Sequence, residues 1–367
     1  MEFKKLFKRN ANGTINQWEI IVQDNSYWSE YGQCGGIITK SDITYAEGKN
    51  IGKKNETTAE EQALKEAKSI WAKKKKSENF VEDVSDVDNA QFNPPMLAHV
   101  WDLNYTDELA FCQPKLDGIR CNFNFDGENI IALSRKNNPF CTVEHIKQSL
   151  QNVLENNPSI HLDGELYNHD LSDNFNEIMS LVSKTKVTEE MQEKISKSLR
   201  YNVYDMWDDN NPNLTFKERN KIINELLKDI EFVDIVETHK INNADEIENY
   251  FNYFTQNGYE GLIIRKDLPY EHKRSKNLLK YKKFIEQEFK IIDICEGKVK
   301  GKAEYAWIDL GDENQCKATL AFSDDICKEM LEHKTDYIGK MATIKFFGFT
   351  IAKKLRFPEF KCVRDYE

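Results

Sequence analysis

A lysine closely followed by an aspartate and a glycine, Lys115-Leu-Asp-Gly-Ile-Arg120, is the segment of this chain with the clearest potential for chemistry. A lysine amine attacks an electrophile only after it loses its proton, and cationic neighbours, a metal ion or burial promote that loss. The segment follows a strand-like stretch, so we expect Lys115 at the end of a sheet, facing a pocket. Alone, the hexapeptide is also what a surface lysine before a turn would look like.

Three later segments supply the partners that such a lysine needs. Asp163-Gly-Glu165 places carboxylates at the end of a second strand, and Glu260 precedes a buried strand. Lys280 and Lys282 are two residues apart, so they are expected on one face of a strand. Carboxylates beside cations are what a nucleoside triphosphate and its Mg²⁺ require, since the metal prefers hard oxygen ligands and lysines offset phosphate charge.

Composition limits the class of protein. The chain has 367 residues, of which 40% are hydrophobic and 11% aromatic, as expected for a globular protein of two or three domains. Its net charge of −11 argues against binding nucleic acid through overall charge. A local basic stretch at 271–303 could contact a polyanion, although a solvated surface would have the same composition.

Cysteine usage and hydropathy indicate an intracellular protein. The eight cysteines are scattered without a Cys-x-x-Cys pair, and the seven histidines show no paired ligand spacing, so we expect reduced thiols and no zinc site. An uncharged apolar run of about 18 residues is absent, which predicts no membrane span. The basic start lacks an apolar segment behind it, which predicts no secretory signal.

Four regions are expected along the chain. Residues 1–80 have strand-like runs, turns at Gly32, Gly35 and Gly36, and a helix that starts at the capping box Thr58-x-x-Glu61. Residues 81–91 are acidic and indicate a linker. Residues 92–283 mix strands and helices without one-for-one alternation, which favours an α+β domain with a mostly antiparallel sheet. Residues 284–367 carry five short β-like runs and one helix, as in a Greek-key barrel of the OB type.

Within the central region the patterns predict particular elements. The expected strands are 110–113, 121–125, 130–134, 160–163, 201–205, 233–238 and 261–265. The expected helices are 143–155, 174–182, 188–198, 215–228 and 244–256.

The chemical segments occur in an order that resembles the covalent nucleotidyltransferases, the superfamily of ATP-dependent ligases and mRNA capping enzymes, and most closely the small viral DNA ligases. Each segment is weak alone, but their shared order over residues 92–367 is very specific. The segments are Lys115-x-Asp-Gly-x-Arg120, Ser134-Arg135-Lys136, Asp163-Gly-Glu165-Leu166, Tyr201-Asn-Val-Tyr204-Asp205, Glu260-Gly-Leu-Ile-Ile-Arg265, Leu279-Lys280-Tyr-Lys282 and Arg356-Phe-Pro358-Glu-Phe360.

The resemblance implies a fold and a set of roles. It implies an ATP-grasp-like nucleotidyltransferase domain with antiparallel sheets, followed by an OB-fold barrel. Lys115 would attack the α-phosphorus of ATP, while Lys280 and Lys282 neutralise that phosphate and Glu165 and Glu260 hold Mg²⁺, or Mn²⁺ in its place. The other implied contacts are Gln113 with the adenine amino edge, Arg120 and Glu165 with the ribose or phosphates, Arg135 with the nucleotide or the 5′-phosphate of a nick, Tyr204 stacked on adenine, and Arg356 with pyrophosphate.

Within the superfamily, the resemblance favours an ATP-dependent DNA ligase that acts on nicked duplex DNA as a monomer without an obligate protein partner, in a virus or phage. An mRNA capping guanylyltransferase usually has Asp-Gly where this chain has Glu260-Gly261, and Arg-x-Asp-Lys where this chain has Arg356-Phe-Pro. RNA ligases of the two main viral types lack the OB ending. A protein that only binds nucleotide or nucleic acid is disfavoured, because Lys115 and both later lysines are intact.

The N-terminal region resembles a WGR domain, a small α+β module of some DNA-repair proteins. The similarity rests on Gln17-Trp18-Glu19, on Tyr31-Gly32-Gln33 and on the helix at 58–71, although the namesake tryptophan and arginine are replaced by Tyr31 and Gln33. Too little chain lies between Phe289 and Ala321 for the DNA-clasping hairpin of some small viral ligases. We therefore expect residues 1–80 to contribute nick affinity in its place.

Overall fold

The chain folds into two compact units in this computed structural model. It describes residues 3–10, 12–88, 93–101, 111–171, 175–184, 187–282, 284–350 and 352–364. One unit comprises Met1–Phe92 together with Phe284–Glu367, and the other comprises Asn93–Lys283. In the described residues, no helix combines the length and the apolar character needed to cross a bilayer.

The first unit begins with a five-stranded sheet covered by one long helix. Helix α1 starts at the predicted capping box: the Thr58 hydroxyl accepts from the Glu61 N–H, and the Glu61 carboxylate accepts from the Thr58 N–H. Ala63 and Ala67 of the helix pack on Trp18 and other sheet residues. The elements are β1 (Leu6–Arg9), β2 (Ile15–Gln23), β3 (Ser26–Gln33), β4 (Ile38–Lys40), β5 (Thr44–Tyr45) and α1 (Ala59–Glu78).

The turn predicted at Gly32 is wrong, because Gly32 lies inside β3. A Cβ atom there would lie 2.2 Å from the carbonyl oxygen of Ile37, so glycine permits the close approach of the returning chain instead of a turn. The turn itself falls at Gly35, whose φ is +77°.

The acidic segment after α1 is attached to this sheet as far as residue 88. Val81 pairs with Phe7 of β1, and Asp88 forms an ion pair with Arg9. Residues 89–91, the remainder of the predicted linker, lie outside the described part of the chain. The apolar residues in the acidic segment explain the attachment, since Val87 is buried.

The second unit contains two five-stranded sheets. One has the order β12-β11-β10-β8-β9 and the other β13-β7-β14-β15-β6. All strand pairs in them are antiparallel except β11–β12 and β15–β6, which agrees with the predicted mostly antiparallel sheet. The strands are β6 (Leu97–Val100), β7 (Phe111–Lys115), β8 (Ile119–Phe125), β9 (Ile130–Ser134), β10 (Ile160–Tyr167), β11 (Arg200–Asp208), β12 (Val233–Ile235), β13 (His239–Lys240), β14 (Gly261–Arg265) and β15 (Arg274–Tyr281).

In the described residues of this unit, five α-helices pack on the sheets, and each buries one apolar face. Leu150 and Leu154 of α2, for example, are fully buried in the larger core of the unit. The position of every predicted helix in this unit is confirmed to within a few residues. The helices are α2 (Glu144–Asn156), α3 (Phe175–Val182), α4 (Glu189–Ser198), α5 (Phe216–Leu226) and α6 (Ala244–Gln256).

The C-terminal part of the first unit is a closed five-stranded barrel, as its β-like runs predicted. The strand order is β16-β17-β18-β20-β19, and α7 lies between β18 and β19 in the chain. Its interior is apolar, with Ile308, Ala318 and Phe346 fully buried. The elements are β16 (Ile285–Glu296), β17 (Ala303–Gly311), β18 (Asn314–Leu320), α7 (Asp324–Glu332), β19 (Met341–Phe346) and β20 (Glu359–Arg364).

Candidate active site

A cavity of about 240 Å³ lies between the two sheets of the second unit. Strands β7, β14 and β15 of one sheet and β8, β10 and β11 of the other supply most of its walls, so side chains far apart in sequence converge. Seven of the residues predicted for the site line it. They are Gln113, Lys115, Arg120, Arg135, Glu165, Tyr204 and Lys280.

Lys115, the last residue of β7, is held by a carboxylate inside this site. Its Nζ forms an ion pair with one oxygen of Glu260, and the other oxygen of Glu260 accepts from the Nζ of Lys282 at 3.0 Å. The side chain of Lys115 is 21% exposed, so the amine is sheltered but reachable from the cavity. Glu260 and Lys282 are thereby joined to the cavity residues, as the motif order predicted.

The pairing of β7 with β14 explains this placement. Gly261 lies opposite Lys115 in the antiparallel ladder, and the Glu260 N–H donates to the Lys115 carbonyl at 3.0 Å. The backbone thus sets Glu260 beside the lysine before any side-chain contact forms. On the neighbouring strand β15, Lys280 is registered with Ile263 of β14.

The charges around Lys115 interact strongly. Burial would raise the pKa of Glu260, but the ammonium groups of Lys115 and Lys282 outweigh it, so the pKa lies below its usual range. Burial lowers the pKa of Lys280, and Lys282 and Lys115 lower it further. The site therefore concentrates positive charge in a partly desolvated space and would stabilise an anion there.

Arg120 points its guanidinium at a buried carboxylate. Its Nε donates to Asp163 at 2.8 Å, a second nitrogen pairs with the other oxygen of Asp163, and a third donates to the Met96 carbonyl at 2.6 Å. Tyr270 donates to the same carboxylate at 2.7 Å. Arg120 thus lines the cavity, but most of its hydrogen-bonding groups are already used to fix β8 against β10.

Glu165 is the carboxylate that faces the cavity from the opposite sheet. Burial raises its pKa to about 7, although Lys115 and Arg120 act in the other direction. The glycine of the Lys-x-Asp-Gly segment allows the turn to pass close by, because a Cβ on Gly118 would lie 2.7 Å from the Glu165 side chain. Glu165 is therefore half-buried, close to Lys115, and costly to ionise without a ligand.

We expect Glu165→Gln to stabilise the ligand-free protein more at pH 8 than at pH 5. A carboxyl whose folded pKa of about 7 exceeds its ordinary value of 4.5 contributes stability below the ordinary value, and this stability is lost as the pH rises through 7. Glu165→Gln should therefore raise the free energy of unfolding by about 1–3 kcal/mol more at pH 8 than at pH 5. Urea unfolding at both pH values checks this, and equal gains at the two would contradict it.

Gln113 has a more constrained position than the sequence indicated. Its carbonyl accepts from the Arg265 Nε at 2.6 Å, and its amide nitrogen donates to the Tyr204 carbonyl at 3.1 Å and to the Thr238 hydroxyl at 2.9 Å. The side chain is 1% exposed. Its amide orientation is thus fixed, and the carbonyl oxygen retains one lone pair for a ligand.

Arg265 is a site residue for which the sequence predicted no role, although it is the last residue of the segment Glu260-Gly-Leu-Ile-Ile-Arg265. Besides holding Gln113, it donates to Asp205 at 2.6 Å, and its guanidinium lies 5.4 Å from the Tyr204 ring centroid. Arg219 of α5 binds the same aspartate at 2.7 Å. The signal available in the sequence was an arginine at the end of an apolar strand, which does not by itself name its partners.

Two arginines predicted for the site, Arg135 and Arg356, belong to different units of the structure. Arg135 lines the cavity, and its pKa is lowered by burial and by Arg120 and Arg274. Within the described part of the chain it makes no ion pair, and the residue is exposed at the cavity, so its guanidinium is accessible to an anionic ligand. Arg356 belongs to the first unit, in a hairpin where its N–H donates to Gly348 at 2.9 Å. Its contact with a nucleotide stays a prediction.

The arrangement suits nucleophilic displacement at a phosphorus. A lysine amine, a carboxylate that orients it and several cations surround a space that can take an anionic, partly aromatic ligand. Positioning and cationic stabilisation supply most of the rate in such transfers.

Residues 95–282 match the family described as ATP dependent DNA ligase domain, which is about half of the chain. Two curated relatives are DNA ligases. That of African swine fever virus (strain Badajoz 1971, Vero-adapted) is 29% identical over 285 residues, 73% of this chain and 64% of the viral protein. That of Enterobacteria phage T6 is 26% identical over 246 residues, 55% of this chain and 50% of the phage protein. The chain therefore matches less than two thirds of the length of these relatives.

Two solved structures share the fold. A chain named Pmar-Lig_PreS3 has a TM-score of 0.63 and 22% identity, covering 75% of this chain and 68% of that one. A chain from a structure–function analysis of Lig E DNA ligases has a TM-score of 0.60 and 24% identity, covering 74% of this chain and 100% of that one. At these identities the likeness concerns the fold.

Proposed function

We propose that this chain, which belongs to the family of ATP-dependent DNA ligase domains, joins a 5′-phosphate to a 3′-hydroxyl at nicks in duplex DNA. The observation that carries the proposal is the amine of Lys115, held by Glu260 beside Lys282 in a cavity lined by further cations. The names of the viral and phage relatives support DNA as the substrate.

In the first step, Lys115 is the nucleophile. Its deprotonated Nζ attacks the α-phosphorus of ATP, the new N–P bond forms, and the bond from that phosphorus to the oxygen of the β-phosphate breaks, so pyrophosphate leaves. The nitrogen releases one proton to solvent as the phosphoramidate forms. Glu260 orients the amine through its hydrogen bond from the Lys115 Nζ, and the neighbouring Lys282 and Lys280 offset the charge that develops on the α-phosphate oxygens. The product is a lysyl-AMP phosphoramidate.

In the second and third steps the adenylate activates the nick. The 5′-phosphate of the DNA attacks the lysyl-AMP phosphorus and regenerates the lysine, and the 3′-hydroxyl then attacks the adenylated 5′ end and releases AMP. Arg135, a cation that lines the cavity, would hold the 5′-phosphate or the nucleotide phosphates. Attack and departure in line require the reacting groups on opposite sides of the phosphorus.

Mg²⁺ fits the donors present. Glu165 and Glu260 offer hard carboxylate oxygens close to the amine, and Mg²⁺ binds proteins through one or two carboxylates together with substrate phosphates. The ion would supply charge neutralisation for the triphosphate, and Mn²⁺ has the same preference for oxygen ligands. The raised pKa of Glu165 is consistent with a carboxylate that is ionised at lower cost when a cation is bound.

The remaining regions have supporting roles in this proposal. The closed barrel would be an OB fold that carries Arg356 to the pyrophosphate during the first step. Residues 1–80 would be a WGR-like module that adds affinity for the nicked duplex. The protein would act as a monomer inside the cell, without an obligate protein partner.

Tyr204 is proposed to stack on the adenine. Its ring lines the cavity, and the guanidinium groups of Arg120 and Arg265 lie 5.8 and 5.4 Å from the ring centroid. Its hydroxyl lies 3.4 Å from Glu165, which is a weak contact. The ring, and not the hydroxyl, is therefore the part expected to bind the nucleotide.

We expect Tyr204→Ala to raise the KM for ATP in lysine adenylation by about 10-fold to 100-fold, since stacking of a base on an aromatic ring contributes about 1–3 kcal/mol. Tyr204→Phe is the matched control and should stay within about twofold of the parent, because it keeps the ring. Initial rates of lysyl-AMP formation at varied ATP measure both. Equal effects of the two substitutions would contradict stacking.

Nick sealing in vitro tests the function itself. The full chain is incubated with Mg²⁺, ATP or GTP, and a labelled duplex that carries one nick in a DNA or an RNA strand. Sealing of the DNA nick with ATP alone is the expected result. A covalent adduct with GTP alone would favour a capping guanylyltransferase, and sealing confined to RNA nicks would favour an RNA ligase.

A further inference from the structure

The N-terminal sheet and the barrel, which belong to the same compact unit, are joined by backbone contacts. Thr44 of β5 forms an antiparallel bridge with Val299, in the loop between β16 and β17. Beside it, the Tyr45 N–H donates to the Lys298 carbonyl at 3.3 Å. The loop of the barrel thus continues the edge of the N-terminal sheet.

A carboxylate of helix α1 strengthens this junction. Glu66 accepts from the Lys298 Nζ of the barrel at 2.6 Å. Three groups of the N-terminal region orient it: the Lys49 ammonium at 2.9 Å, the Gln62 amide at 2.9 Å and the Tyr27 hydroxyl at 3.0 Å. Four donors on a side chain that is 14% exposed make Glu66 a fixed acceptor instead of a mobile surface charge.

The charge on Glu66 is stable over the working pH range. Burial would raise the pKa of Glu66, but Lys298, Gln62 and Lys49 outweigh it and hold the pKa at about 2. Gln62 of α1 and Tyr27 of β3 hold the Glu66 carboxylate in position. Less side-chain entropy is therefore lost when Lys298 forms its ion pair with Glu66.

A second ion pair lies near the first. The Lys302 ammonium binds Asp42 of the N-terminal region at 2.6 Å and Asp324, the first residue of α7, at 2.9 Å. Lys302 therefore links Asp42 of the N-terminal region to Asp324, which follows the barrel strand β18. With the backbone bridge, the junction has three separate points of attachment, which resist rotation as well as separation.

We propose that Asp42, Thr44, Tyr45 and Glu66 form a docking surface for the 298–302 loop of the barrel, and that the N-terminal module stays bound to the barrel and moves with it as one body. The docking stands on these contacts alone, whereas the motion rests on the proposed ligase function. The alternative is a module that leaves the barrel to reach DNA on its own.

A disulfide across the backbone bridge tests the docking. Partners in an antiparallel bridge have Cα atoms about 4.5–5.5 Å apart, within the range that a disulfide spans. Thr44→Cys and Val299→Cys are combined in the full chain after the exposed Cys34, Cys141 and Cys362 are changed to serine. We expect mild oxidation of dilute protein, without ATP or DNA, to cross-link more than about nine tenths of the molecules, seen as a mobility shift on non-reducing gels.

The matched control places the second cysteine elsewhere on the barrel. Asp312→Cys lies in the turn at the far end of β17, roughly 25 Å from the near end by the rise of about 3.3 Å per residue. Thr44→Cys with Asp312→Cys should form little or no intramolecular disulfide. Cross-linking of both pairs to the same extent, or of neither, would overturn the docking.

Nick sealing by the oxidised Thr44→Cys/Val299→Cys protein tests the common motion. We expect the rate to stay within about twofold of that of the same protein after reduction. A loss of 10-fold or more that dithiothreitol restores would show that the module must detach, and would overturn the second half of the inference. Absence of sealing in both redox states with a formed cross-link would instead count against the ligase function and leave the docking in place.

Discussion

Replacing Lys115 with arginine is expected to abolish formation of the lysyl-AMP adduct. Arginine keeps a positive charge for the ion pair with Glu260, so the fold of the site should persist. Its guanidinium cannot lose a proton at working pH and cannot serve as the nucleophile. Removal of a nucleophile commonly costs several orders of magnitude in rate, so labelling should fall by at least about 10³-fold.

The measurement uses α-labelled ATP with Mg²⁺, followed by denaturing electrophoresis. The parent protein should retain label through the covalent N–P bond, and Lys115→Arg should retain none. Lys221→Ala is the control, since Lys221 is an exposed residue of α5 with 77% of its side chain accessible, and it should label like the parent. Persistent labelling of Lys115→Arg would show that another residue carries the adenylate.

A second substrate separates loss of the nucleophile from loss of the site. A nicked duplex whose 5′ end is already adenylated bypasses the step that needs the Lys115 amine. Lys115→Arg should therefore still seal this substrate at a measurable rate while it fails on an ordinary nick with ATP. Failure on both substrates, with wild-type thermal stability, would mean that Lys115 is required beyond its attack on ATP.

The elements that could be predicted from sequence are those with local signals. The capping box Thr215-x-x-Glu218 marks the start of α5, and both of its hydrogen bonds are present. The strand Gly261–Arg265 was predicted with its observed bounds because it is a short apolar run between turn residues. By contrast, β6 was missed, since Leu97–Val100 becomes a strand only by pairing with β15, more than 170 residues later.

The same distinction applies to the site. Lys115, Glu260 and Lys282 could be found because the order of the surrounding segments is specific even though each is short. The partners of Arg265 could not, because Asp205 is 60 residues away and Gln113 is 152 residues away, and no local pattern links them. Residue order predicted that Lys115, Glu260 and Lys282 lie together, whereas the buried charges around them depend on the tertiary fold.

Those buried charges lead to the largest effect that we expect on stability. Asp205 is fully buried and binds Arg219 and Arg265, which are 2% and 4% exposed. Replacing it with asparagine would leave two buried guanidinium groups with a neutral partner. Breaking a buried ion pair from one side costs about 3–5 kcal/mol, so Asp205→Asn should lower the free energy of unfolding of the second unit by that amount.

The exposed pair Arg200–Asp234 provides the matched control. Its geometry is also bidentate, with distances of 2.5 and 2.9 Å, but both side chains are more than two fifths exposed. Asp234→Asn should cost less than about 1 kcal/mol, because water and salt screen the interaction. Urea titrations followed by hydrogen exchange of peptides from β11 and β12 report on this unit separately from the barrel.

The pH dependence of the Asp205 effect follows from its carboxyl group. Burial would raise the pKa of Asp205, but Arg219 and Arg265 outweigh it and hold the pKa below its usual range. A carboxylate with a lowered folded pKa contributes stability above its ordinary pKa of about 4, and this stability is lost as the pH falls toward the folded value. The difference in free energy of unfolding between the parent and Asp205→Asn should therefore be constant from pH 6 to 8 and become smaller below about pH 4. The expectation fails if Asp205→Asn lowers the free energy of unfolding by no more than Asp234→Asn does, or if its effect grows in acid. Either result would show that Arg219 and Arg265 do not need the charge of Asp205. Arg265 would then hold Gln113 independently of Asp205.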